Sequence, residues 1–420
     1  MTRNAEHSSA SVAEQVRDFY DHYPYPPPIE NLEEYQLRWQ DHERRRADYH
    51  LYWPGRTYRE DQTILVAGCG TSQADKHAVR WPEAQVTAID CSATSVHYTQ
   101  QLKEKYELKN LDVHQLPLER VNDLGMRFDQ VICTGVLHHL ADPDAGLAAL
   151  RNVLKPDGVM QLMVYAPYGR VGIYMLQEFC RRVGIQPSDV EVRELIGALY
   201  ELPKGHPLQG LLAHAPDFRN EAALTDALLH PQDRPYSVPE LFAFLEKGGL
   251  KFGRWVRQAP YSVHCGALQR IPQAAKLAGL PLVEQYAAIE LFRCTMIRHS
   301  AIAYREDCPI RIHSVSFSDD EWINYVPIRM PDTICVQDRV PEGFAAVLIN
   351  RTHTHKDLFL PIDTTEKKLF DAIDGQSTIG NISHRALGLA DPVKHDGVAR
   401  TFFEQLWWHD QVVFETGSTH

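Results

Sequence analysis

Two adjacent histidines, His138 and His139, stand at the end of an apolar run in "FDQVICTGVLHHL". Histidine titrates near neutrality, so a pair in such a turn can take a proton from a reacting group and return it. The plainer alternative is that both are packed residues opening a helix. Earlier in the chain, "ILVAGCGTSQ" (64–73) is an apolar run closed by a glycine turn. Gly68 and Gly70 let the backbone approach a ligand where a Cβ would collide. Asp90 in "VTAIDCS" follows Gly70 by twenty residues, the spacing at which an acid ending a second strand accepts both hydroxyls of a ribose.

The glycine turn and the acid together fit NAD, FAD or S-adenosyl-L-methionine. A dinucleotide fingerprint needs a third glycine so that the pyrophosphate can sit on the helix N-terminus, and Gln73 stands there instead. S-adenosylmethionine has no phosphate, and a shorter loop suffices for it. A further cluster lies in "LLHPQDRPYSVPE" (228–240), with His230, Asp233, Arg234 and Tyr236. An arginine there can clamp a carboxylate or phosphate in bidentate fashion; a surface loop with a local Asp–Arg pair is the plainer reading. His353 and His355 have His-x-His spacing in "RTHTHKD", but with no cysteine or acid ligand close in sequence, so no metal is expected.

The elements that must position these residues alternate. "TILVAG", "QVTAID", "LDVHQL", "FDQVICTG" and "VMQLMVYAP" read as buried strands, and "SATSVHYTQQLKEKYE" and "DAGLAALRNVLKPDG" as the helices between them. Ser92 is the expected N-cap of the first helix, and Pro156 with Gly158 the expected stop of the second. Strands alternating with helices imply a parallel sheet with its ligands at the carboxyl ends of the strands. Residues 169–308 read as mainly helical. Within them "SVPELFAFLEKGGL" opens on a capping box, Ser237 with Glu240, and "KFGRWVRQAPYSV" and "AIAYRED" are two more strand candidates. After about Pro309 a hairpin, three helices and a closing strand follow.

The chain has 420 residues, net charge −12, 44% hydrophobic and 23% charged residues. This is a folded, multi-domain composition, and its acidic balance argues against nucleic-acid binding through a broad basic surface. No run is long and apolar enough for a membrane span, and "MTRNAEHSSASVAEQ" lacks a signal-peptide core. Eight cysteines without CxxC spacing read as reduced thiols, so a cytoplasmic location is expected.

Four segments in order, "VAGCGTS", "VTAIDCS", "FDQVICTGVLHHL" and "LKPDGVMQLMVY", resemble the class I S-adenosylmethionine-dependent methyltransferases. The resemblance implies an α/β fold whose seven-stranded sheet ends in an antiparallel strand. Helical insertions and a smaller α+β, winged-helix-like C-terminal domain, similar in element order to PqqD-like domains, would complete it. The implied organisation is an N-terminal helical lid (1–60), a cofactor core (61–168), a substrate cover completing the sheet (169–308) and the C-terminal domain (309–420). By the resemblance Ala67, Gly68, Cys69 and Gly70 line the methionine moiety, Asp90 holds the ribose, and Cys91 and Leu116 flank the adenine. Thr134 and Gly135 meet the cofactor from the fourth strand. Departures are Val66 and Ser72, where the family often has an acid and a glycine. The adenine-amino position falls on Pro117 in one register and Asp112 in another.

A second resemblance, to phosphoethanolamine-type methyltransferases, pairs His139 with Tyr20 from the N-terminal segment. The segment "SVAEQVRDFYDHYPYPPPIE" reads as a helix with Ser11 and Glu14 as its capping box. Val12, Val16, Phe19, Tyr20 and Tyr23 fall on one face, and a stiff proline strap follows. Such a lid would bring Tyr20, Tyr23 and Tyr25 to the acceptor, with packing on the sheet as the plainer alternative. The implied activity is methyl transfer to an O or N nucleophile of a small metabolite or natural-product intermediate. Alternatives are a peptide or protein acceptor recognised by the C-terminal domain, or a non-catalytic cofactor-binding regulator. "EQLWWHDQVVF" offers an apolar surface that would suit a homodimer.

Overall fold

The structure is a computed structural model that describes residues 2–214, 221–308, 315–388 and 392–417. Helices α1 (Thr2–His22), α2 (Glu33–Trp39) and α3 (His42–Tyr52) precede the first strand. The alternating region then runs β1 (Thr63–Ala67), α4 (Gln73–Arg80), β2 (Gln85–Asp90), α5 (Ala93–Lys105), β3 (Leu111–Gln115), β4 (Phe128–Thr134), α6 (Pro143–Val153) and β5 (Leu154–Tyr165). Next come α7 (Val171–Val183), α8 (Asp189–Leu199), α9 (Pro207–His214), α10 (Glu221–Leu229), α11 (Val238–Lys247), β6 (Leu250–Trp255), α12 (Ala274–Ala278), α13 (Leu282–Arg293) and β7 (Arg298–Arg305).

These strands form one sheet in the order β3-β2-β1-β4-β5-β7-β6. The first five are parallel to their neighbours, and β7 pairs antiparallel with β5, Met160 opposite Ala303. This is the topology the resemblance implies. β1 and β4 are buried along nearly their whole length, as expected of parallel strands covered on both faces. Because the strands run the same way, Ala67, Asp90, Thr134 and Tyr165 are each the last residue of their strand. The sheet therefore presents all four at one edge.

Local chemistry sets the connections. Ser92 Oγ accepts from Ser95 N–H at 3.1 Å and starts α5, and Ser237 N–H donates to Glu240 Oε2 at 2.8 Å at the start of α11. Buried Glu290 closes the same end: its Oε2 accepts from Val238 N–H at 2.9 Å while its Oε1 lies 2.9 Å from His299 Nε2 on β7. Two boundaries differ from expectation. α1 begins at Thr2, so Ser11 and Glu14 lie inside the helix rather than at its cap. α6 ends at Val153, and Pro156 and Gly158 belong to β5, because pairing of Leu154 with Phe128 takes over before the proline is reached.

The chain divides into two compact units. Residues 1–38, 60–252 and 290–307 form the first, and residues 39–59, 253–289 and 308–420 the second. In the second, β9 (Thr333–Val336) and β11 (Phe359–Ile362) flank β10 (Ala346–Asn350), while β8 (Val326–Arg329) pairs antiparallel with β12 (Val412–Glu415). With α14 (Thr364–Asp371), α15 (Ile379–Leu387) and α16 (Pro392–Trp408), they follow the expected order of hairpin, three helices and closing strand. Leu369, Ile379, Phe402, Phe403 and Phe414 fill the core of this unit. Arg46 Nη2 on α3 donates to Glu415 Oε2 at 2.6 Å, so α3 belongs to it. His353 also has an acid partner after all: its Nε2 lies 3.1 Å from Asp410 Oδ2, a contact made by folding rather than by sequence proximity. No helix among the described residues is long and apolar enough to cross a membrane.

One buried acid in α4 makes the fold sensitive to pH. Asp75 is fully buried and neither carboxylate oxygen has a hydrogen-bond partner; burial pushes its pKa up to about 7. The folded state holds this proton more tightly than an unfolded aspartate, whose pKa is about 4. The group is therefore without cost below about pH 4, destabilises increasingly as pH rises towards 7, and adds nothing further above that. Asp75→Asn is expected to raise the melting temperature at pH 8 by about 2–5 °C and to flatten its decline between pH 4 and 7, as read by calorimetry. An unchanged pH profile would contradict this.

Candidate active site

The glycine turn is shaped by backbone contacts. Gly68 and Gly70 have φ of +73° and +54°, in the region only glycine enters freely. The N–H groups of Gly68 and Cys69 both donate to Ile89 O, at 2.8 and 3.0 Å. The Cys69 thiol turns inward, 3.7 Å from Thr99 Oγ1, leaving only its backbone towards the turn. Asp90 is fixed from two sides: Gly70 N–H donates to Oδ2 and Ser92 N–H to Oδ1, both at 2.9 Å. Each oxygen keeps a further lone pair, enough to accept two ribose hydroxyls. Leu116 N–H donates to Asp90 O at 2.8 Å. This sets Leu116 and then Pro117 at the carboxyl end of β3, whereas Asp112 pairs with Thr87 near the opposite end. Thr134 Oγ1 accepts from Gln73 Nε2 at 2.6 Å, tying the glycine loop to β4, and Gly135 has φ of +80°. Cys91 follows Asp90 directly, half-buried.

The proline strap lies on this turn. A Cβ on Gly70 would stand 3.1 Å from Pro26 Cδ and 3.3 Å from Tyr25 O, and Thr71 Oγ1 donates to Pro26 O at 2.8 Å. Helix α1 is held just before the strap. Asp21 Oδ1 accepts from Ser92 Oγ at 2.7 Å and from Thr94 N–H at 3.2 Å, beside the Asp90 loop. Tyr20 thereby faces the histidine turn, and Phe19 lies 4.9 Å from His230 between ring centroids.

There the fold assembles a buried polar group. Tyr20 and His139 have ring centroids 6.2 Å apart, Tyr20 and His230 5.3 Å, and His139 and His230 3.9 Å. Tyr20 OH donates to Asp226 Oδ1 at 3.0 Å, and Tyr165 OH to Oδ2 of the same carboxylate at 3.4 Å. Burial and the Asp226 charge push the Tyr20 hydroxyl well above its ordinary value, so it stays a donor. His139 Nδ1 lies 2.6 Å from Gln232 O. A carbonyl only accepts, so Nδ1 carries the proton and Nε2 is left as a buried lone pair with no partner. The opposite holds for His230, whose Nδ1 accepts from Gln232 N–H at 3.0 Å and whose proton therefore sits on Nε2. His138 is fully buried with neither ring nitrogen partnered. Arg170 lies with its guanidinium 3.5 Å over Tyr165 and Nη2 3.4 Å from Asp233 Oδ2.

Sequence-based candidates divide accordingly. Tyr20, His138, His139 and His230 come together, and burial together with the Asp226 charge, along with nearby Tyr25, raises the Tyr165 hydroxyl. Tyr23 is drawn elsewhere, its hydroxyl donating to Pro187 O and Asp189 Oδ1, both at 3.2 Å. Arg234 is exposed with its guanidinium 5.0 Å over Tyr236, so it does not act as the buried clamp. Tyr236 is buried against Phe244, its N–H donating to Tyr165 O at 2.9 Å. The buried arginine is Arg170, and it, Asp226 and Tyr165 went unrecognised in the sequence. Asp226 had a signal, an acid in the apolar body of the helix "EAALTDALL", beyond the Glu221 of its first turn. Tyr165 also had one, as the polar-tipped last residue of an apolar strand.

Comparisons with known proteins bear on the domain and the fold. Residues 65–160 match the family model described as a methyltransferase domain. An uncharacterized protein of Synechococcus, syc1184_c, is 33% identical over 251 residues, covering 58% of this chain and 60% of that protein. Malonyl-[acyl-carrier protein] O-methyltransferase of Acetivibrio thermocellus is 28% identical over 120 residues, or 28% of this chain and 41% of that one. The chain thus spans less than two thirds of the length of these curated relatives. Among solved structures, PKMT2 from Rickettsia typhi in complex with AdoHcy superposes with a TM-score of 0.64 at 14% identity, covering 93% of this chain and 77% of that one. Residues 65–160 thus match a methyltransferase domain, and they contribute β1 to β5 of the seven-stranded sheet described above.

Proposed function

We propose that the protein transfers a methyl group from S-adenosylmethionine to an oxygen or nitrogen nucleophile of a small metabolite or natural-product intermediate. The observation that carries this reading is the buried, oriented and unpartnered Nε2 of His139 at the carboxyl end of β4, facing Tyr20. The residues present suit the cofactor. Asp90 would hold the ribose, the backbone of Gly68, Cys69 and Gly70 with Ala67 the methionine moiety, Cys91 and Leu116 the adenine, and Thr134 and Gly135 the side facing β4. When bound, the sulfonium supplies an electrophilic methyl for in-line displacement. The chain's own work is then to hold the acceptor in line and exclude water. Tyr20 and Tyr25 from the lid, with His230 and Tyr165, wall the acceptor seat. A nucleophile that must shed a proton has the His139 lone pair beside it. Deletion of residues 1–28 would remove both Tyr20 and the strap over Gly70.

A peptide acceptor is the second reading, and cutting the chain near residue 310 would not test it. Residues 39–59 and 253–289 pack with the C-terminal residues and would lose their partners. Labelled-methyl transfer into separate pools of small molecules and peptides, with mass spectrometry of the product, distinguishes the two with the full chain.

Two further outcomes are expected. Asp90→Ala weakens binding of S-adenosylhomocysteine at least ~10-fold, about 1.4 kcal/mol, by calorimetric titration; unchanged affinity would refute the ribose assignment. His139→Ala lowers turnover by about 10²–10⁴-fold, and Tyr20→Phe lowers it also, with S-adenosylhomocysteine affinity preserved in both. Wild-type turnover in both would sink the assignment of the acceptor seat.

A further inference from the structure

Three lone pairs converge beside the acceptor seat with nothing to accept from. They are His139 Nε2, a ring nitrogen of His138 and Asp233 Oδ1, all buried and unpartnered. One ligand atom from each of these residues lies within 4.8 Å of the others. Leaving buried acceptors unpartnered is costly, and three in one place invite a positively charged occupant.

The surroundings have the features of a metal centre's outer shell. His139 donates Nδ1–H to Gln232 O, the bond that orients a ligating histidine. Asp233 Oδ2 is held by Gln177 Nε2 at 3.0 Å and Arg170 Nη2 at 3.4 Å, which leaves Oδ1 buried without a partner. A neighbouring set, His139, Asp226 and His230, is equally close, but does not suit a cation. His230 keeps its proton on Nε2 because Nδ1 accepts from Gln232 N–H. Both Asp226 oxygens already accept from tyrosine hydroxyls.

We propose that His138, His139 and Asp233 bind one divalent transition-metal cation at the acceptor seat. Two imidazoles and a carboxylate suit Zn²⁺, Co²⁺ or Fe²⁺, and three protein ligands leave coordination positions for water or for an oxygen of the acceptor. The inference shares its site with the proposed methyl transfer, and in the metal-loaded protein the His139 lone pair serves the cation.

The test uses the full chain, stripped with chelator, loaded with Co²⁺ and dialysed, with no cofactor or acceptor present. Wild type should retain about one equivalent by elemental analysis, show visible d–d absorption, and melt at least ~2 °C higher with Co²⁺ than without, since only the folded state binds. His138→Ala and Asp233→Ala should each weaken Co²⁺ binding at least ~10-fold, while His230→Ala retains the full equivalent. Substoichiometric retention by wild type without a thermal shift would overturn the proposal. So would full retention by folded His138→Ala and Asp233→Ala, which would locate the ion elsewhere. A chain that binds Co²⁺ but transfers no methyl group would count against the proposed function and leave the metal site standing.

Discussion

The 2.6 Å hydrogen bond from His139 Nδ1 to Gln232 O is the contact on which the rest of the site depends. It joins the turn after β4 to the loop between α10 and α11, two segments far apart in sequence. It also decides which ring nitrogen is basic. The same residue, Gln232, donates its N–H to His230 and so gives that neighbouring ring the opposite tautomer. The backbone N–H and C=O of one residue thus turn two similar histidines into an acceptor and a donor, without any difference in their side-chain chemistry.

Around this pair the sheet acts as a frame and α1 as a cover. Parallel strands end together, which brings Asp90, Thr134 and Tyr165 to one edge from three different strands. The N-terminal segment is tied down at several points. Asp21 binds the loop that follows Asp90, Tyr20 binds Asp226 on α10, and Pro26 lies against Gly70. Each tie joins the N-terminal segment to a different part of the site. Charge-assisted and buried bonds of this type are among the stronger single contacts in proteins, so the cover is built into the site.

The legible parts of the sequence were those ruled by local chemistry. Strand runs, the Ser92 cap, the glycine turn and Asp90 follow from backbone sterics and short-range hydrogen bonding; the parallel sheet followed from their alternation, and its antiparallel last strand from the family resemblance. Ser11 misled because a cap residue also tolerates a helix interior when the helix extends before it. The polar cluster was only half readable. His138, His139 and Tyr20 stood in recognisable segments, but Asp226, Tyr165 and Arg170 acquire meaning only when α7 and α10 fold over the strand ends. Likewise, the ligand-like convergence of His138, His139 and Asp233 joins residues with no metal spacing in the chain.

The central claim is that Asp90 and His139 mark the two ends of one cofactor-and-acceptor site. A crystal structure of the full chain with S-adenosylhomocysteine tests it most directly. The account predicts ribose hydroxyls on the Asp90 carboxylate and the thioether sulfur turned towards Tyr20 and His139 Nε2. A cofactor product bound away from Asp90, or with its sulfur directed away from the histidine turn, would contradict it.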